Sequence, residues 1–267
     1  MLSQFIQEPR ILGMVQAAIT IVLSLSVILL ARRWRIHLER DTLIALGRGL
    51  VQVIAVGAVL LLLLQGPLWT SILVLLAMII LAATIATRRA EGISGAFWVS
   101  LFGIGIGSGV VIAGMTWLGV IDSAPSSLIP VGSMLIANAM NTGSLAMDRF
   151  RSEIQSNVGQ IEAALSLGAE PKVTVTRHVE AAVQASMIPR IDSLRSLGIV
   201  WIPGLMAGMI LSGEDPVYAA IYQFVVIAMI FATAGITSIS STLLIRTRAF
   251  SSAQQLILRP GSVDTSG

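Results

Sequence analysis

The sequence contains few of the residues on which enzymes and metal sites commonly depend. Its 267 residues include no cysteine, two histidines and a single lysine, Lys172. Disulfides and thiolate metal sites are therefore excluded. Pro171 precedes Lys172, so the chain has no Gly-Lys-Ser/Thr phosphate-binding loop. We expect that the chain is not an enzyme and that it holds no cofactor of its own.

Charged residues are also scarce, and apolar residues take their place. Only 12% of the residues are charged, whereas 55% are hydrophobic and the mean hydropathy is +0.87. A soluble domain of this length would need more charge to cover its surface. The composition therefore predicts an all-α, polytopic membrane protein.

Seven apolar runs are long enough to cross the hydrocarbon core of a membrane, which takes roughly 20 residues. They cover residues 12–31, 43–64, 69–86, 97–118, 128–147, 191–211 and 217–245. With this assignment sixteen of the 17 basic residues fall on one side, and only Arg10 falls on the other. Because basic loops stay in the cytoplasm, we expect the N-terminus outside and the C-terminus in the cytoplasm.

These spans imply a simple domain organisation. Residues 1–250 are predicted to form a single transmembrane domain, with its largest cytoplasmic loop at residues 148–190. Residues 251–267 are predicted to be a flexible cytoplasmic tail. The basic residues lie in inner loops and are not interleaved with aromatic residues, so the sequence pI of about 10.2 does not indicate nucleic-acid binding.

Polar side chains interrupt the fifth predicted span. Asn138 and Asn141 are three residues apart and share a helical face with Met134, while Met140 and Ser144 form the adjacent strip. An amide in hydrocarbon must bond to another helix or line a wet cavity, so either helix packing or a translocation pathway explains them. Amide oxygen and thioether sulfur can both contact a transition metal transiently. The candidate metal contacts are therefore Asn138, Met140 and Asn141.

Proline and glycine mark two further features within the predicted spans. Pro203 and Gly204 should break the sixth span midway, and a broken helix at membrane depth is either a pathway-lining hinge or a static kink. The fourth span carries two GxxxG pairs, Gly103/Gly107 and Gly105/Gly109. Such pairs let helices approach closely, here within one chain or, alternatively, across a dimer seam.

The largest inner loop is predicted to form two short helices. The first covers residues 161–169, with Asn157 as its start signal and Gly168 as its stop signal. The second begins near Pro171, since proline suits the first position of a helix. These helices would offer a platform to a soluble partner, although an ordinary surface helix would show the same pattern.

The sequence Glu162-Ala163-Ala164, followed by Gly168, resembles the EAA loop of ABC-transporter permeases, a coupling helix that sits in a groove of the ATPase subunit. The resemblance assigns ATPase coupling to Ile161, Glu162, Ala163, Ala164, Leu165 and Gly168. Further matching segments are Leu38-Glu39-Arg40-Asp41, Gly47-Arg48, Ile129-Pro130-Val131-Gly132, Asn138-Ala139-Met140-Asn141 and Pro203-Gly204-Leu205-Met206. Together they resemble the iron-export ABC permease family, the bacterial FetB-type permeases related to plant aluminium-tolerance permeases.

The resemblance implies a permease of the bacterial inner membrane that works as a homodimer. A separate ABC ATPase subunit would hold ATP and Mg and supply the energy, and the cargo would be iron. The translocation pathway would involve Met134, Asn138, Asn141, Ser144, Pro203 and Gly204. Two alternatives stay open, namely an ABC permease for a sugar nucleotide or another organic solute, and a membrane channel or scaffold outside the ABC class.

Overall fold

The computed structural model describes residues 9–34, 39–88, 95–251 and 254–258, and within them all regular secondary structure is helical. The α-helices in chain order are α1 Pro9–Arg33, α2 Glu39–Leu64, α3 Leu68–Thr87, α4 Ala96–Trp117, α5 Pro125–Ser156, α6 Val158–Ser166, α7 Pro171–Thr174, α8 Thr176–Ser196, α9 Gly204–Leu211 and α10 Pro216–Arg246. A single 3-10 turn, Thr247–Ala249, follows α10. The predicted all-α class is confirmed for these residues.

The contacts within the chain divide it into two compact units, Met1–Leu64 and Gln65–Gly267. The first unit contains α1 and α2, which contact each other. Its large apolar side chains are mostly exposed, with Val22 64% and Val53 72% accessible. Apolar helix surface of this kind belongs in contact with lipid rather than with water.

Two long helices, α5 and α10, organise the second unit. Helix α10 packs against α4, α5, α8 and α9, and α5 also packs against α3, α4 and α8. Leu135 and Phe150 of α5 are fully buried in this core, as is Val226 of α10. The site described below lies where α5, α8, α9 and α10 meet.

Small residues allow α4 and α10 to pack closely. A Cβ atom built on Gly103 would overlap the hydroxyl of Ser241, and one built on Gly107 would overlap the hydroxyl of Thr237. By contrast, a Cβ on Gly109 would meet nothing within 4 Å. The interpretation that Gly103 and Gly107 serve packing within the chain is therefore confirmed.

Four helices of the described residues are long and apolar enough to cross a membrane, namely Ile11–Leu30, Leu68–Thr87, Ala96–Trp117 and Pro216–Ala249. A shorter apolar helix covers Ile44–Leu60. Helix α5 is 32 residues long but carries the polar residues that interrupt the fifth predicted span. The count of seven spans and the orientation of the termini stay predictions.

The sixth predicted span, residues 191–211, is not one helix. Helix α8 ends at Ser196 and α9 begins at Gly204, so residues 197–203 separate them. We predicted a break at Pro203 and Gly204, and the interruption is longer than that. Gly198 lies in this stretch with φ +77°, a conformation that favours glycine and turns the chain out of the helix.

The residues after α10 fold back onto the second unit. Ser251 N–H donates to Gln255 O at 2.8 Å and Ile257 N–H donates to Ala249 O at 2.9 Å. Leu256 and Leu258 are buried in the core. Packed residues therefore include Leu256 and Leu258, within the predicted tail of residues 251–267. Residues 252–253 and 259–267 of that tail lie outside the described residues, and the domain division stays a prediction.

Candidate transport cavity and coupling helix

A cavity of about 210 Å³ lies between α5, α8, α9 and α10. Its lining includes both polar and apolar residues. The polar or partly polar lining residues are Asn138, Arg190, Ser193, Trp201 and Gln223. The apolar part and the backbone are contributed by Met134, Pro203, Gly204, Leu205, Ile227, Ile230 and Phe231.

The break after α8 brings the start of α9 to the cavity. Gly198 N–H donates to Trp201 O at 3.0 Å, which closes a tight turn. Pro203 then adopts an extended conformation (φ −67°, ψ 138°) as the residue before α9. Gly204 and Leu205, at the first turn of α9, consequently line the cavity.

A hydrogen bond from Arg190 to Asn138 joins α8 to α5 at the cavity. Arg190 Nη1 donates to Asn138 Oδ1, and Asn138 Nδ2 in turn donates to Met134 O at 2.8 Å. The amide of Asn138 is thus bonded through both of its polar atoms. Its carbonyl oxygen, the atom that would contact a metal ion, faces a cationic group in this state.

Gln223 joins α10 to the start of α9. Its Oε1 accepts from Met206 N–H at 3.3 Å, and the side chain is only 4% exposed. The bond satisfies one of the first N–H groups of α9, which have no carbonyl partner within the helix. Gln223 also lines the cavity.

The structure brings part of the predicted pathway together. Met134, Asn138, Pro203 and Gly204 all line the cavity. The remaining predicted pathway and metal residues, Asn141, Ser144 and Met140, do not line it. Asn141 is exposed elsewhere on α5, Ser144 is buried, and Met140 is partly buried against the core.

Metal binding by Asn138, Met140 and Asn141 stays a prediction, and of these three residues only Asn138 faces the cavity. No group of three or more His, Cys, Asp or Glu side chains that could hold a metal ion occurs among the residues that the structure describes. Asp192 and Arg195, three residues apart on α8, form an ion pair at 3.7 Å.

Sequence reasoning missed Arg190, Ser193 and Gln223 as cavity residues. In the sequence Arg190 is the last residue of the predicted cytoplasmic loop 148–190, and nothing connects it with Asn138, which is 52 residues away. The sequence does contain one indication. Asp192 has an oppositely charged partner three residues later, whereas Arg190 has no acidic residue at that spacing and so needs a partner from another helix.

The first helix predicted in the inner loop, over residues 161–169, is present as α6, Val158–Ser166, and so begins and ends three residues earlier. Its coupling role stays a prediction. Asn157 precedes α6 as predicted, but its side chain donates backward to Glu153 O at 2.8 Å and does not cap the helix. Gly168 has φ +85° and ends the segment as expected. Pro171 opens α7, which confirms the second predicted start.

Helix α6 has a buried side and an exposed side. Ile161 is buried in the core, whereas Glu162, Ala164 and Leu165 are partly exposed. The side opposite Ile161 carries small, exposed residues at Gly159, Ala163 and Ser166, and the exposed Gln160 lies next to it. Immediately after the helix, Leu167 is 90% exposed.

A family model described as "Uncharacterised protein family (UPF0014)" matches residues 14–250, which is most of the chain. The chain belongs to this family. It is thus a membrane permease of the family, and the resemblance to the bacterial FetB-type permeases is confirmed. No solved structure matches the chain.

Several relatives align over nearly their whole length. The Escherichia coli protein named "Probable iron export permease protein FetB" is 32% identical, over 90% of this chain and 93% of its own. The Bacillus subtilis "UPF0014 membrane protein YjkA" is 32% identical, over 90% and 96%. The Arabidopsis thaliana "Protein ALUMINUM SENSITIVE 3" is 31% identical, over 91% and 90%.

Proposed function

We propose that this chain is the membrane subunit of an ABC transporter that exports iron across the bacterial inner membrane. Two copies would pair as a homodimer and bind two copies of a separate ATPase subunit, which holds ATP and Mg. Iron as the cargo is supported by the name of the Escherichia coli relative. The observation that carries the coupling role is the build of α6, in which buried Ile161 anchors a helix whose opposite side is small and exposed.

The small exposed side of α6 suits insertion into a groove of another protein. Gly159, Ala163 and Ser166 add little bulk, so a partner surface can approach the helix backbone closely. Leu167 adds a large apolar side chain that is 90% exposed and that a partner would bury. Removing an exposed leucine from water stabilises a complex by roughly 1.5–3 kcal/mol.

Helix α6 is linked to α5 and α8, two of the four helices that meet at the cavity. Only Asn157 separates α6 from α5, and Glu153 of α5 faces His178 of α8 at 3.6 Å. A push on α6 would therefore shift α5 against α8. Because the bond between Asn138 and Arg190 joins the same two helices at the cavity, such a shift would alter the cavity directly.

The coupling role is tested by placing a large side chain on the exposed side of α6. Ala163→Trp should abolish co-purification with the ATPase subunit, because the indole would block entry into a groove. Gln184→Trp is the matched control, since Gln184 is exposed on α8 and lies outside the proposed contact. An intact complex with the Ala163 variant would refute the coupling assignment.

The cargo is tested with the reconstituted complex. Its ATPase activity should rise with iron and stay unchanged with UDP-glucose. Stimulation by UDP-glucose alone would replace iron with a sugar nucleotide and keep the permease. Failure of the wild-type chain to bind any ATPase subunit would favour a channel or scaffold outside the ABC class.

A further inference from the structure

We propose that the cavity recognises its cargo through an anionic oxygen group, a carboxylate or a phosphate, bound by Arg190 at the start of α9. The inference rests on the proposed permease function, because it names the chemical form in which that permease takes its cargo. Iron would then enter as a complex with negatively charged oxygen ligands and not as a bare cation.

The charge of the cavity is positive. Among the described residues that line it, Arg190 is the only charged one, and no carboxylate faces it. Asp192 is two residues away but pairs with Arg195 at 3.7 Å on the exposed side of α8. A partly buried cation is costly without a negative partner. The cavity is therefore suited to receive an anion and unsuited to a free metal ion.

The guanidinium of Arg190 has unused hydrogen-bonding capacity. Nη1 donates to Asn138 Oδ1, while the buried Nε has no hydrogen-bond partner. A guanidinium presents five N–H donors in a planar fork that matches the geometry of carboxylate and phosphate. The bond to Asn138 fixes the position of this fork without neutralising its charge.

The start of α9 adds further donors beside Arg190. Pro203 provides no side-chain cap, and the first backbone bond of the helix is from Ala207 N–H to Pro203 O at 3.2 Å. The N–H groups of Gly204 and Leu205 consequently have no carbonyl partner within the helix, and both residues line the cavity. A helix N-terminus also carries partial positive charge.

The volume of the cavity limits the size of the bound group. About 210 Å³ is less than the roughly 300–1,000 Å³ of pockets that enclose drug-sized ligands. A small carboxylate or phosphate compound suits this space better than a whole sugar nucleotide. Arg190 of α8 and the first residues of α9 both line the cavity, so the group would be held where these two helices meet.

The test measures ligand binding by the full-length permease in lipid nanodiscs, without the ATPase subunit. The probes are citrate, inorganic phosphate, ferric citrate and ferrous iron without a chelator, all at constant ionic strength. Arg190→Gln should weaken binding of the anions about tenfold or more, the effect of losing one charge-assisted hydrogen bond. Arg190→Lys should retain part of the affinity, and Arg195→Gln should leave it within about twofold.

Asn138→Asp separates the anion proposal from a cation site. The new carboxylate would neutralise Arg190 in place, so binding of citrate and phosphate should fall at least as far as with Arg190→Gln. A site for bare metal cations would respond in the opposite direction, because it would gain a carboxylate ligand. Gel filtration of each variant shows whether it is folded. If Arg190→Gln does not fold, Arg190→Lys still tests the role of Arg190.

Binding of citrate alone or phosphate alone supports the proposal and identifies which group the cavity takes. Three results would overturn it: wild-type protein that binds neither anion, ferrous iron bound more tightly by Asn138→Asp, or equal losses with the Arg190 and Arg195 variants. This binding test contains no ATPase, so it is independent of the coupling proposal. The cavity can fail to bind anions although the wild-type chain co-purifies with an ATPase subunit, and it can bind anions although the chain does not.

Discussion

The close contact between α4 and α10 makes a quantitative prediction about single methyl groups. In Gly107→Ala the new Cβ would overlap Thr237 Oγ1 and would also lie 2.9 Å from Thr237 N and 2.9 Å from Thr237 Cβ. The hydroxyl can rotate away, but the backbone nitrogen and Cβ cannot. The two helices must therefore separate by about half an ångström, and overpacking of this kind costs about 1–3 kcal/mol.

Two other glycines of α4 provide a graded comparison. In Gly103→Ala the overlap is mainly with Ser241 Oγ, and once that hydroxyl rotates the next contact is Ser241 Cβ at 3.2 Å. We expect a cost of less than about 1 kcal/mol there. In Gly109→Ala nothing lies within 4 Å of the new atom, so the variant should cost nothing and should gain about 0.5–1 kcal/mol from the higher helix propensity of alanine.

The assay is reversible unfolding of the purified protein in mixed micelles, followed by the fluorescence of its five tryptophans. The midpoint of each variant gives its change in the free energy of unfolding, provided that the slope is unchanged. The predicted order of cost is Gly107, then Gly103, then Gly109. If Gly109→Ala costs as much as Gly107→Ala, the close contact lies on the other face of α4 and the packing described here is wrong.

Two further predictions concern the inner loop and the segment after α10. Gly168→Ala should cost about 1–2 kcal/mol in the same unfolding assay, because φ +85° is strained for alanine, whereas Gly159→Ala in open space should be close to neutral. Leu258→Ala should cost about 2–5 kcal/mol because its side chain is 3% exposed in the core, and Ile257→Ala, at 46% exposure, should cost less than about 1 kcal/mol. Equal costs within either pair would contradict the corresponding placement.

The helices and their local signals were predictable because they depend on neighbours in sequence. Apolar composition predicts membrane helices, Gly168 predicts the end of a segment, and Pro171 predicts the start of the next one. The pair Asp192–Arg195 follows from helical spacing alone. Each of these features is decided within a turn or two of the chain, so no knowledge of the tertiary structure is needed.

The cavity was only half predictable, because its polar contacts join helices distant in sequence. Asn138 was identified as a polar residue in a predicted span, but its partner Arg190 is brought to it by the packing of α5 against α8. The length of the interruption between α8 and α9 was also missed, because residues 199–202 are apolar and therefore predict that the sixth span continues through them. Burial of Leu256 and Leu258 likewise depends on the turn that follows α10.

The central claim, that this permease moves iron with energy from a separate ATPase, is tested most directly by transport into liposomes. The reconstituted complex is oriented with the ATPase outside, and radiolabelled iron is added outside as ferric citrate. The account predicts accumulation inside the vesicles that requires ATP and is lost in Ala163→Trp. A complex that hydrolyses ATP but moves no iron, or iron accumulation that is equal without ATP, would contradict it.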